Sequence, residues 1–553
     1  MIDFTQHFAT RLRRLADGAT PQAEPIPGST QVPNSAGGYA WPVDQWTRLD
    51  RFLTLGSEAG TFYIGERPLT IENATSVRAC VVEDGTRVVR RVAEVSAAGR
   101  APKNDPALFV LAMCAGLGDG PTRAAALAAL PEVARTATHL FHWLQYVNAF
   151  RGWGRGVRRA VARWYTAKPA SAVASQMLKY PSRDGWAHRD ALRLAHPKAP
   201  TVAHDLLFRY ATKGWEGVLE LKGVADVDVV ERIETVHALR QMTPAEAARV
   251  IAVYKLTREM VPTELLTHAA VWEALLHGMP LTALVRNLGV MSKVGLVAPG
   301  SAAARAVVGR LGDRGAIRKA RVHPVALLAA MKTYGQGRGM KGSGTWTPVR
   351  QVVDALDGAF YLAFDNAPTT GKRVLLALDV SGSMGSPVLG MDYLSCREAS
   401  AAMALVTAAT EPNHQFVAFT NGSYPSMHSA HGYNSGLTPL AVSPRRRLDD
   451  VVRSISALPF GGTDCALPMV EALKQRWPVD AFLVFTDNET WAGNVHPAQA
   501  LRAYRERMGI AAKLVVVAMA SNGFSIADPD DAGMLDVVGF DAATPQVVAD
   551  FIG

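Results

Sequence analysis

Cysteine is scarce in this chain: among 553 residues there are four, Cys80, Cys114, Cys396 and Cys465. No two of them form a CxxC pair, so the sequence indicates neither a disulfide framework nor a zinc site. Long apolar runs are missing as well, because no stretch approaches the roughly 20 residues that span a bilayer. The N-terminal residues lack the apolar segment of a secretion signal. Together these absences predict a cytoplasmic protein.

Signals of disorder and of phosphate binding are equally sparse. Hydrophobic residues make up 48% of the chain and charged residues 19%, proportions that are ordinary for folded domains. The glycine-rich stretch 335–345 lacks the G-K-[ST] ending of a phosphate loop, and no buried strand precedes it. We interpret it as a flexible basic loop.

Charge is distributed unevenly along the chain, whose formal net charge is +9. After residue 372 there are 12 lysines and arginines against 18 aspartates and glutamates, which leaves 46 against 31 in the first 372 residues. The first part therefore carries +15 and the second −6. A basic part suggests a polyanionic partner and an acidic part suits a cation, while a merely solvated basic surface is the alternative.

The length predicts a modular protein of about two to four domains. Residues 1–38 include the Pro-, Gly- and Ser-containing stretch TPQAEPIPGSTQVPNSAGG, which predicts an exposed arm or linker. Residues 39–370 have mostly helical apolar spacing, as at Leu140, Leu144 and Val147. Many short helices separated by turns suggest stacked helical pairs in an irregular HEAT-like repeat, since no strict period is present.

In residues 371–553 apolar strands alternate with helices, which is the order of a doubly wound α/β domain. Residues 421–444 have no periodicity and are predicted to form a long loop. The predicted strands are 374–378, 415–419, 481–485 and 513–518, and the predicted helices are 396–410, 448–458, 467–476 and 497–508.

Oxygen-bearing side chains follow two of these strands. Asp379, Ser381 and Ser383 form a D-x-S-x-S pattern after the first strand, Thr463 lies in a glycine-rich turn, and Asp487 follows strand 481–485. Ligands collect at the carboxyl ends of parallel strands, and hydroxyl and carboxylate oxygens suit a small hard cation. We predict a divalent cation site, most simply Mg²⁺, in which the hydroxyls ligate and the aspartates ligate directly or through water. The alternative is a vestigial loop without metal.

A nucleophilic role for the same loop has no support. Ser381 is not in a G-x-S-x-G elbow, and no histidine can be assigned to it as a base. A nuclease would need a cluster of carboxylates around one or two metals, and the loop is the only candidate.

Cationic side chains concentrate in residues 153–196. At about 100° per residue, four arginines of residues 153–165 fall on one side of a helix and apolar residues on the other. Arginine suits phosphate oxygens, so this face predicts a sequence-independent contact to a nucleic-acid backbone, against the alternative of a solvated helix with salt bridges. The following segment adds cations around Trp186, an aromatic that could stack on a base. The predicted RNA-binding residues are Arg155, Arg158, Arg159, Arg163, Lys179, Arg183, His188, Arg189 and His196.

The five metal-site positions resemble the metal-ion-dependent adhesion site (MIDAS) of the von Willebrand factor A fold. With FTDNETW at residues 485–491, the chain resembles a bacterial member of the Ro autoantigen family, which joins a TROVE module, a ring of helical repeats, to a von Willebrand factor A domain. The other matching stretches are RFLTLGSEAGTFYI (51–64), WGRGVRRAVARWY (153–165), DGWAHRDALRLAHPK (184–198), MPLTALVRNLG (279–289), ARVHPVALLAAMKTYGQGRGMKG (320–342) and SNGFSIADPDDAGMLDVVGFD (521–541).

The resemblance implies a monomeric RNA-binding protein without enzymatic activity of its own that acts in RNA quality control. Members of the family bind small noncoding Y RNAs on the outside of the ring and single-stranded 3′ ends of misfolded RNA in its central hole. Bacterial members are tethered by a Y RNA to the exoribonuclease polynucleotide phosphorylase. By position, the RNA contacts of the family fall on Lys179, Arg183 and His196. The competing class is a metal-dependent protein-interaction module, adhesive or chaperone-like, without a specific RNA role.

Overall fold

The structure is a computed structural model of the chain. It describes residues 19–55, 69, 74–98, 101, 103–221, 227–320, 322, 324–339, 344–364, 369–388, 391–420, 436–440, 442–443, 446–458, 461–519, 524–538 and 544–553. The chain forms two compact units. Residues 77–363 form one, called here the helical unit, and residues 1–76 with 364–553 form the other, called here the α/β unit. The helical unit is therefore inserted, along the sequence, between the two parts of the α/β unit.

Helices joined by turns make up most of the described part of the helical unit. Helix α1 (Gln45–Leu55) precedes it. Its own helices are α2 (Thr75–Ala98), α3 (Asp105–Leu117), α4 (Gly120–Val133), α5 (Ala137–Phe150), α6 (Arg155–Thr166), α7 (Ala170–Lys179), α8 (His188–Ala195), α9 (Val202–Lys213), α10 (Trp215–Leu219), α11 (Val227–Ala238), α12 (Pro244–Tyr254), α13 (Ala269–Gly278), α14 (Leu281–Lys293), α15 (Ala302–Leu311), α16 (Arg314–Ala320), α17 (Pro324–Gly335) and α18 (Arg350–Leu362). Single 3-10 turns lie at Leu239–Gln241, Arg258–Met260 and Leu265–Thr267.

Some of these helices begin at side-chain caps, and several pack in pairs. The hydroxyl of Thr136 accepts a hydrogen bond from the His139 amide at the start of α5, and Thr243 forms a capping box with Glu246 at the start of α12. Helix α3 packs on α5, α12 on α13, and α17 on α18. Leu140, Leu144 and Val147 are buried as predicted. Paired short helices confirm the predicted helical architecture of this part.

A six-stranded sheet forms the centre of the α/β unit. Its strands are β5 (Val374–Asp379), β8 (His414–Phe419), β9 (Leu437–Pro439), β10 (Ala481–Thr486), β11 (Lys513–Ala518) and β13 (Met534–Val538), and a separate hairpin is formed by β6 (Pro387–Val388) and β7 (Met391–Ser395). The order in the sheet is β13-β11-β10-β5-β8-β9, and every pair is parallel except β8 with β9. All six residues of the central strands β5 and β10 are buried, which is typical of a parallel sheet covered on both faces.

The helices of the α/β unit are α19 (Cys396–Thr410), α20 (Leu448–Ser456), α21 (Leu467–Lys474), α22 (Pro497–Met508) and α23 (Thr544–Ile552), with a 3-10 turn at Gly382–Gly385. The predicted strands and helices of residues 371–553 are confirmed to within two residues at each end. The expected long loop at 421–444 is corrected in part: its residues Leu437–Pro439 pair with β8 as an antiparallel edge strand, while residues 421–435 lie outside the described residues.

Residues 19–55 are part of the α/β unit, which corrects the expected arm or linker over residues 19–38; the compact helical unit begins at residue 77. Strand β2 (Tyr39–Pro42) pairs with both β1 (Val32–Pro33) and β12 (Phe524–Ser525). Helix α1 carries Arg51, which is 2% exposed and holds Asp536 at 2.9 Å. The segment 19–38 is rich in turn residues, yet its polar side chains find partners in the α/β unit. Residues 1–18 lie outside the described residues.

Candidate metal centre and nucleic-acid interface

The predicted metal ligands lie in three loops at the carboxyl ends of β5 and β10. The hydroxyls of Ser381 and Ser383 are 3.1 Å apart, and Oδ1 of Asp379 accepts a hydrogen bond from the Ser381 amide at 2.8 Å. Ser383 also hydrogen-bonds the carboxylate of Asp487. The carbonyl of Thr463 accepts hydrogen bonds from the backbone of the loop that follows Asp487. Four of the five side chains thus form a connected cluster, and the fifth lies in a loop fastened beside it.

Burial and mutual repulsion set the electrostatics of this cluster. Burial raises the pKa of Asp379 to about 7, and the neighbouring Asp487 carboxylate adds to that rise. Burial likewise raises the pKa of Asp487. Two buried carboxylates with adjacent hydroxyls fit a small divalent cation, because the cation would neutralise both charges and accept the hard oxygen donors.

No group of three or more His, Cys, Asp or Glu side chains suited to a metal occurs within the described ranges. The donors of the candidate cluster are instead two carboxylates, Asp379 and Asp487, and the hydroxyls of serine and threonine side chains. Such a donor set suits Mg²⁺, which keeps part of its water shell in proteins.

Several supports of the cluster were not predicted from the sequence. Thr486 donates to Oδ2 of Asp379 at 2.8 Å, and Arg397 donates to the carbonyl of Ser381 at 3.2 Å. Gln22 donates to Oδ1 of Asp464, the residue after Thr463, at 2.7 Å. Thr486 could have been found as the last residue of its strand, whereas Gln22 is 442 residues from its partner and no local pattern indicates it.

Helix α6 has the two faces that its sequence predicts. Val157, Ala160, Val161 and Trp164 are buried, and the four arginines of the opposite face are exposed. Within the described part of the chain, no carboxylate pairs with Arg155, Arg158, Arg159 or Arg163. Unpaired guanidinium groups on one helix face can contact phosphate oxygens without first breaking an ion pair.

The remaining predicted cations form loose ion pairs at the surface. Lys179 lies 3.8 Å from Glu259, Arg183 lies 3.5 Å from Asp184, and Arg189 lies 3.5 Å from Asp190. His196 is exposed and ends α8 in the left-handed conformation with φ of 46°. Exposed ion pairs of this length contribute about 0–1 kcal/mol, so a phosphate could replace the carboxylate partners.

His188 is the one predicted RNA contact that the structure places in the core, so that prediction is corrected. Its side chain is 5% exposed, its Nδ1 lies 2.8 Å from the Tyr165 hydroxyl, and its Nε2 lies 3.0 Å from the Tyr180 carbonyl. Burial lowers its pKa to about 4, so the ring is neutral near pH 7. A neutral, enclosed imidazole cannot attract a phosphate.

Trp186 is half-buried and contacts neighbouring side chains. Its indole donates to Gln145 at 3.3 Å, and its ring centroid lies 5.7 Å from that of Trp153. It belongs to the hairpin of β3 (Ser182–Arg183) and β4 (Trp186–Ala187), whose turn residue Asp184 hydrogen-bonds His142 on α5. The hairpin that carries Arg183 is thereby fixed on α5, and the half-buried Trp186 supports it; the expected stacking of Trp186 on a base stays a prediction.

The neutral state of His188 predicts a pH-dependent stability. An unfolded histidine with a pKa near 6.5 takes up a proton below that pH, whereas folded His188 does so only near 4, so its contribution is complete above pH 6.5 and is lost as the pH falls. Between pH 7 and pH 5 this residue should lower the free energy of unfolding by about 2 kcal/mol. Urea denaturation followed by circular dichroism should give a flatter pH dependence for His188→Gln than for wild type. An equally steep dependence in both would contradict a buried neutral ring.

The geometry defines a class of protein: a helical unit with an exposed cationic helix face, combined with a von Willebrand A type α/β unit in which the D-x-S-x-S loop follows the central strand β5. Comparison with known sequences agrees, because residues 32–250 and 249–333 match the TROVE domain and residues 373–552 match the Ro60 vWA domain. The chain belongs to the Ro60 family, which confirms the resemblance seen in its motifs.

Two relatives and one solved structure are similar over nearly the whole chain. The RNA-binding protein RO60 of Deinococcus radiodurans is 43% identical over 98% of both chains. The RNA-binding protein RO60 of Caenorhabditis elegans is 37% identical over 94% of this chain and 90% of its own. The crystal structure of the RO (RSR) protein of Deinococcus radiodurans covers 92% of this chain and 99% of that one, at 42% identity and a TM-score of 0.72. No helix in the described ranges is both long and apolar enough to cross a membrane.

Proposed function

We propose that this protein binds structured, Y-like noncoding RNA through the exposed cations of α6, the β3–β4 hairpin and α8, together with the partly exposed Lys179 of α7. We further propose that it takes single-stranded 3′ ends of misfolded RNA at a second site, in RNA quality control with an exoribonuclease such as polynucleotide phosphorylase. The observation that carries the proposal is the face of α6, where four exposed arginines have no carboxylate partner in the described residues. The name of both relatives, RNA-binding protein, supports it.

The α/β unit is proposed to hold Mg²⁺ with Ser381, Ser383, Thr463, Asp379 and Asp487. When bound, the ion supplies positive charge between two buried carboxylates and joins loops from different strands. The proposal rests on the donor set and on the raised pKa of both carboxyl groups, which burial makes costly to ionise without a cation.

A protein partner at the metal centre is the second candidate function. Trp491 is 42% exposed although its amide is hydrogen-bonded to the Thr463 carbonyl at 3.1 Å. An exposed tryptophan beside a metal loop is typical of a contact surface. Pull-down of a protein by wild type but not by Trp491→Ala, with RNA binding equal in both, would favour this function for the α/β unit.

His196→Asn should weaken a structured Y-like RNA more than a single-stranded oligonucleotide, because His196 lies on the exposed surface and the 3′ end is proposed to bind elsewhere. Asparagine tolerates the left-handed backbone at this position, so the helix end is preserved. Affinities for both RNAs are to be measured by fluorescence anisotropy.

Lys255→Asn is the matched control for His196→Asn. Lys255 is an exposed cation at another left-handed helix end, with φ of 49°. It should change neither affinity by more than about twofold. Equal losses for both RNAs in His196→Asn would contradict two separate sites.

A further inference from the structure

The side chain of Gln22 is fully buried against two loops of the candidate metal centre. Its Nε2 donates to Oδ1 of Asp464 at 2.7 Å and to the carbonyl of Val495 at 2.8 Å. Its Oε1 accepts from the amide of Gly493 at 3.3 Å and from the hydroxyl of Thr490. A primary amide has two donor hydrogens and one acceptor oxygen with two lone pairs, so every hydrogen-bonding position of this side chain is used.

Two hydrogen-bond partners of Gln22 lie close in the sequence to two of the predicted metal ligands. Asp464 comes after Thr463, and Thr490 lies three residues after Asp487. The Thr490 hydroxyl accepts from the Cys465 amide at 3.2 Å and lies 3.4 Å from the Thr463 carbonyl. One glutamine amide thus connects the Thr463 loop to the Asp487 loop.

The contact is closely packed as well as hydrogen-bonded. A Cβ atom at Gly493 would overlap both Nε2 of Gln22 and Oδ1 of Asp464, so glycine is required there for the amide to lie between the loops. Asn34 adds a second link from the same N-terminal segment, since its Nδ2 donates to the carbonyl of Thr490 at 2.7 Å. The two loops are therefore held from outside the sheet by residues 22 and 34.

We propose that Gln22 is a positioning residue of the metal centre, which sets the distance between the Thr463 hydroxyl and the Asp487 carboxylate. The inference rests on the proposed Mg²⁺ site and adds to it a support outside the five ligands. Loss of a hydrogen-bonded partner behind a metal ligand typically costs about 10- to 100-fold in metal affinity.

Gln22→Glu is the decisive variant. Glutamate has the shape of glutamine but cannot donate to Asp464 when ionised, and it brings two carboxylates together in a buried place. Isothermal titration of the metal-free full chain with MgCl₂ should give a Kd at least about tenfold higher than for wild type.

The pair Gln22→Glu with Asp464→Asn reverses donor and acceptor across the same contact. The side-chain amide introduced at position 464 can donate to the new carboxylate from the place that Oδ1 of Asp464 occupies in the wild type. The hydrogen bond that the same Oδ1 accepts from the Ala466 amide at 3.0 Å is then lost. The double variant should therefore recover part of the lost Mg²⁺ affinity. General damage to the fold would not be repaired by a second substitution.

Gln31→Glu is the matched control. Gln31 belongs to the same segment, but its Nε2 contacts Nδ1 of His496 at 3.2 Å and none of the metal loops. It should keep the wild-type Kd for Mg²⁺ within about twofold, whatever it does to the melting temperature.

The outcomes separate this inference from the metal site itself. If the wild-type chain binds no Mg²⁺, the proposed metal site is wrong and the inference about Gln22 is wrong with it. A wild type that binds Mg²⁺ while Gln22→Glu binds it equally well, or a Gln31→Glu variant that loses as much affinity as Gln22→Glu, overturns the inference alone.

Discussion

Replacing Arg158 and Arg159 by glutamate should weaken the binding of a structured RNA about 25- to 60-fold at 0.1 M salt. Each phosphate contact releases counterions and contributes about 0.7 to 0.9 to the slope of log K against log salt. Two lost contacts therefore change this slope by about 1.4 to 1.8, which is a factor of about 25 to 60 in affinity for each tenfold change in salt, here between 1 M and 0.1 M. Both side chains are exposed and lie opposite the buried face of α6, so the melting temperature should not fall.

The measurement is a salt series of RNA titrations with wild type and variant, together with thermal melting. Arg502→Glu with Arg507→Glu makes the same change in net charge on two exposed positions of α22 in the α/β unit. This control should leave the salt slope unchanged. An unchanged Kd for the α6 variant with a native melting curve would reject α6 as an RNA surface.

Asp379→Asn should abolish most of the stabilisation that Mg²⁺ gives to the α/β unit. An ion at 100 times its Kd stabilises the folded state by about 2.7 kcal/mol, which corresponds to a shift of about 5 to 10 °C in the melting temperature of a unit of this size. Asparagine keeps the shape of the side chain and an acceptor for the Ser381 amide, but removes the charge that attracts the ion. RNA binding should survive, because the cations proposed to contact RNA belong to the helical unit.

Comparing melting with Mg²⁺ and with chelator inside each variant cancels any intrinsic destabilisation. Asp449→Asn, which removes an exposed carboxylate from α20 of the same unit, should retain the full Mg²⁺ effect. If the melting temperature of the wild type is the same with Mg²⁺ and with chelator, the metal site is vestigial. A folded Asp379→Asn variant that loses RNA would show that the metal lies in the RNA path.

Periodicity accounts for what could be predicted from the sequence. A continuous apolar run that ends at Asp379, with Ser381 and Ser383 after it, indicates a strand that is buried on both faces. A helix with arginines on one side follows from about 100° of rotation per residue. Such patterns say which residues of an element are buried, and they were right for β5, β10 and α6.

Long-range partners account for what could not be predicted. His188 has the local setting of a surface cation, and it is buried because Tyr165, 23 residues earlier, hydrogen-bonds its ring in the core. Gln22 lies in a stretch of turn residues, and its partners are more than 440 residues away. Side chains whose contacts come from distant parts of the chain leave no spacing signal. The ring of helical repeats, the bound metal ion and the identity of the RNA stay predictions.

The division of the α/β unit into two parts of the sequence has a consequence for synthesis. Arg51 is paired with Asp536, which a ribosome adds 485 residues later, and β2 pairs with β12 from the same late stretch. During elongation the inserted helical unit can fold as soon as it emerges, since domains fold as units while the chain grows. Residues 19–55 must instead stay without their partners until the last strands emerge. The loops proposed to hold the metal, which contact Gln22, are consequently completed only when translation is almost finished. A truncated product would therefore carry the helices proposed to bind RNA without the completed loops of the proposed metal site.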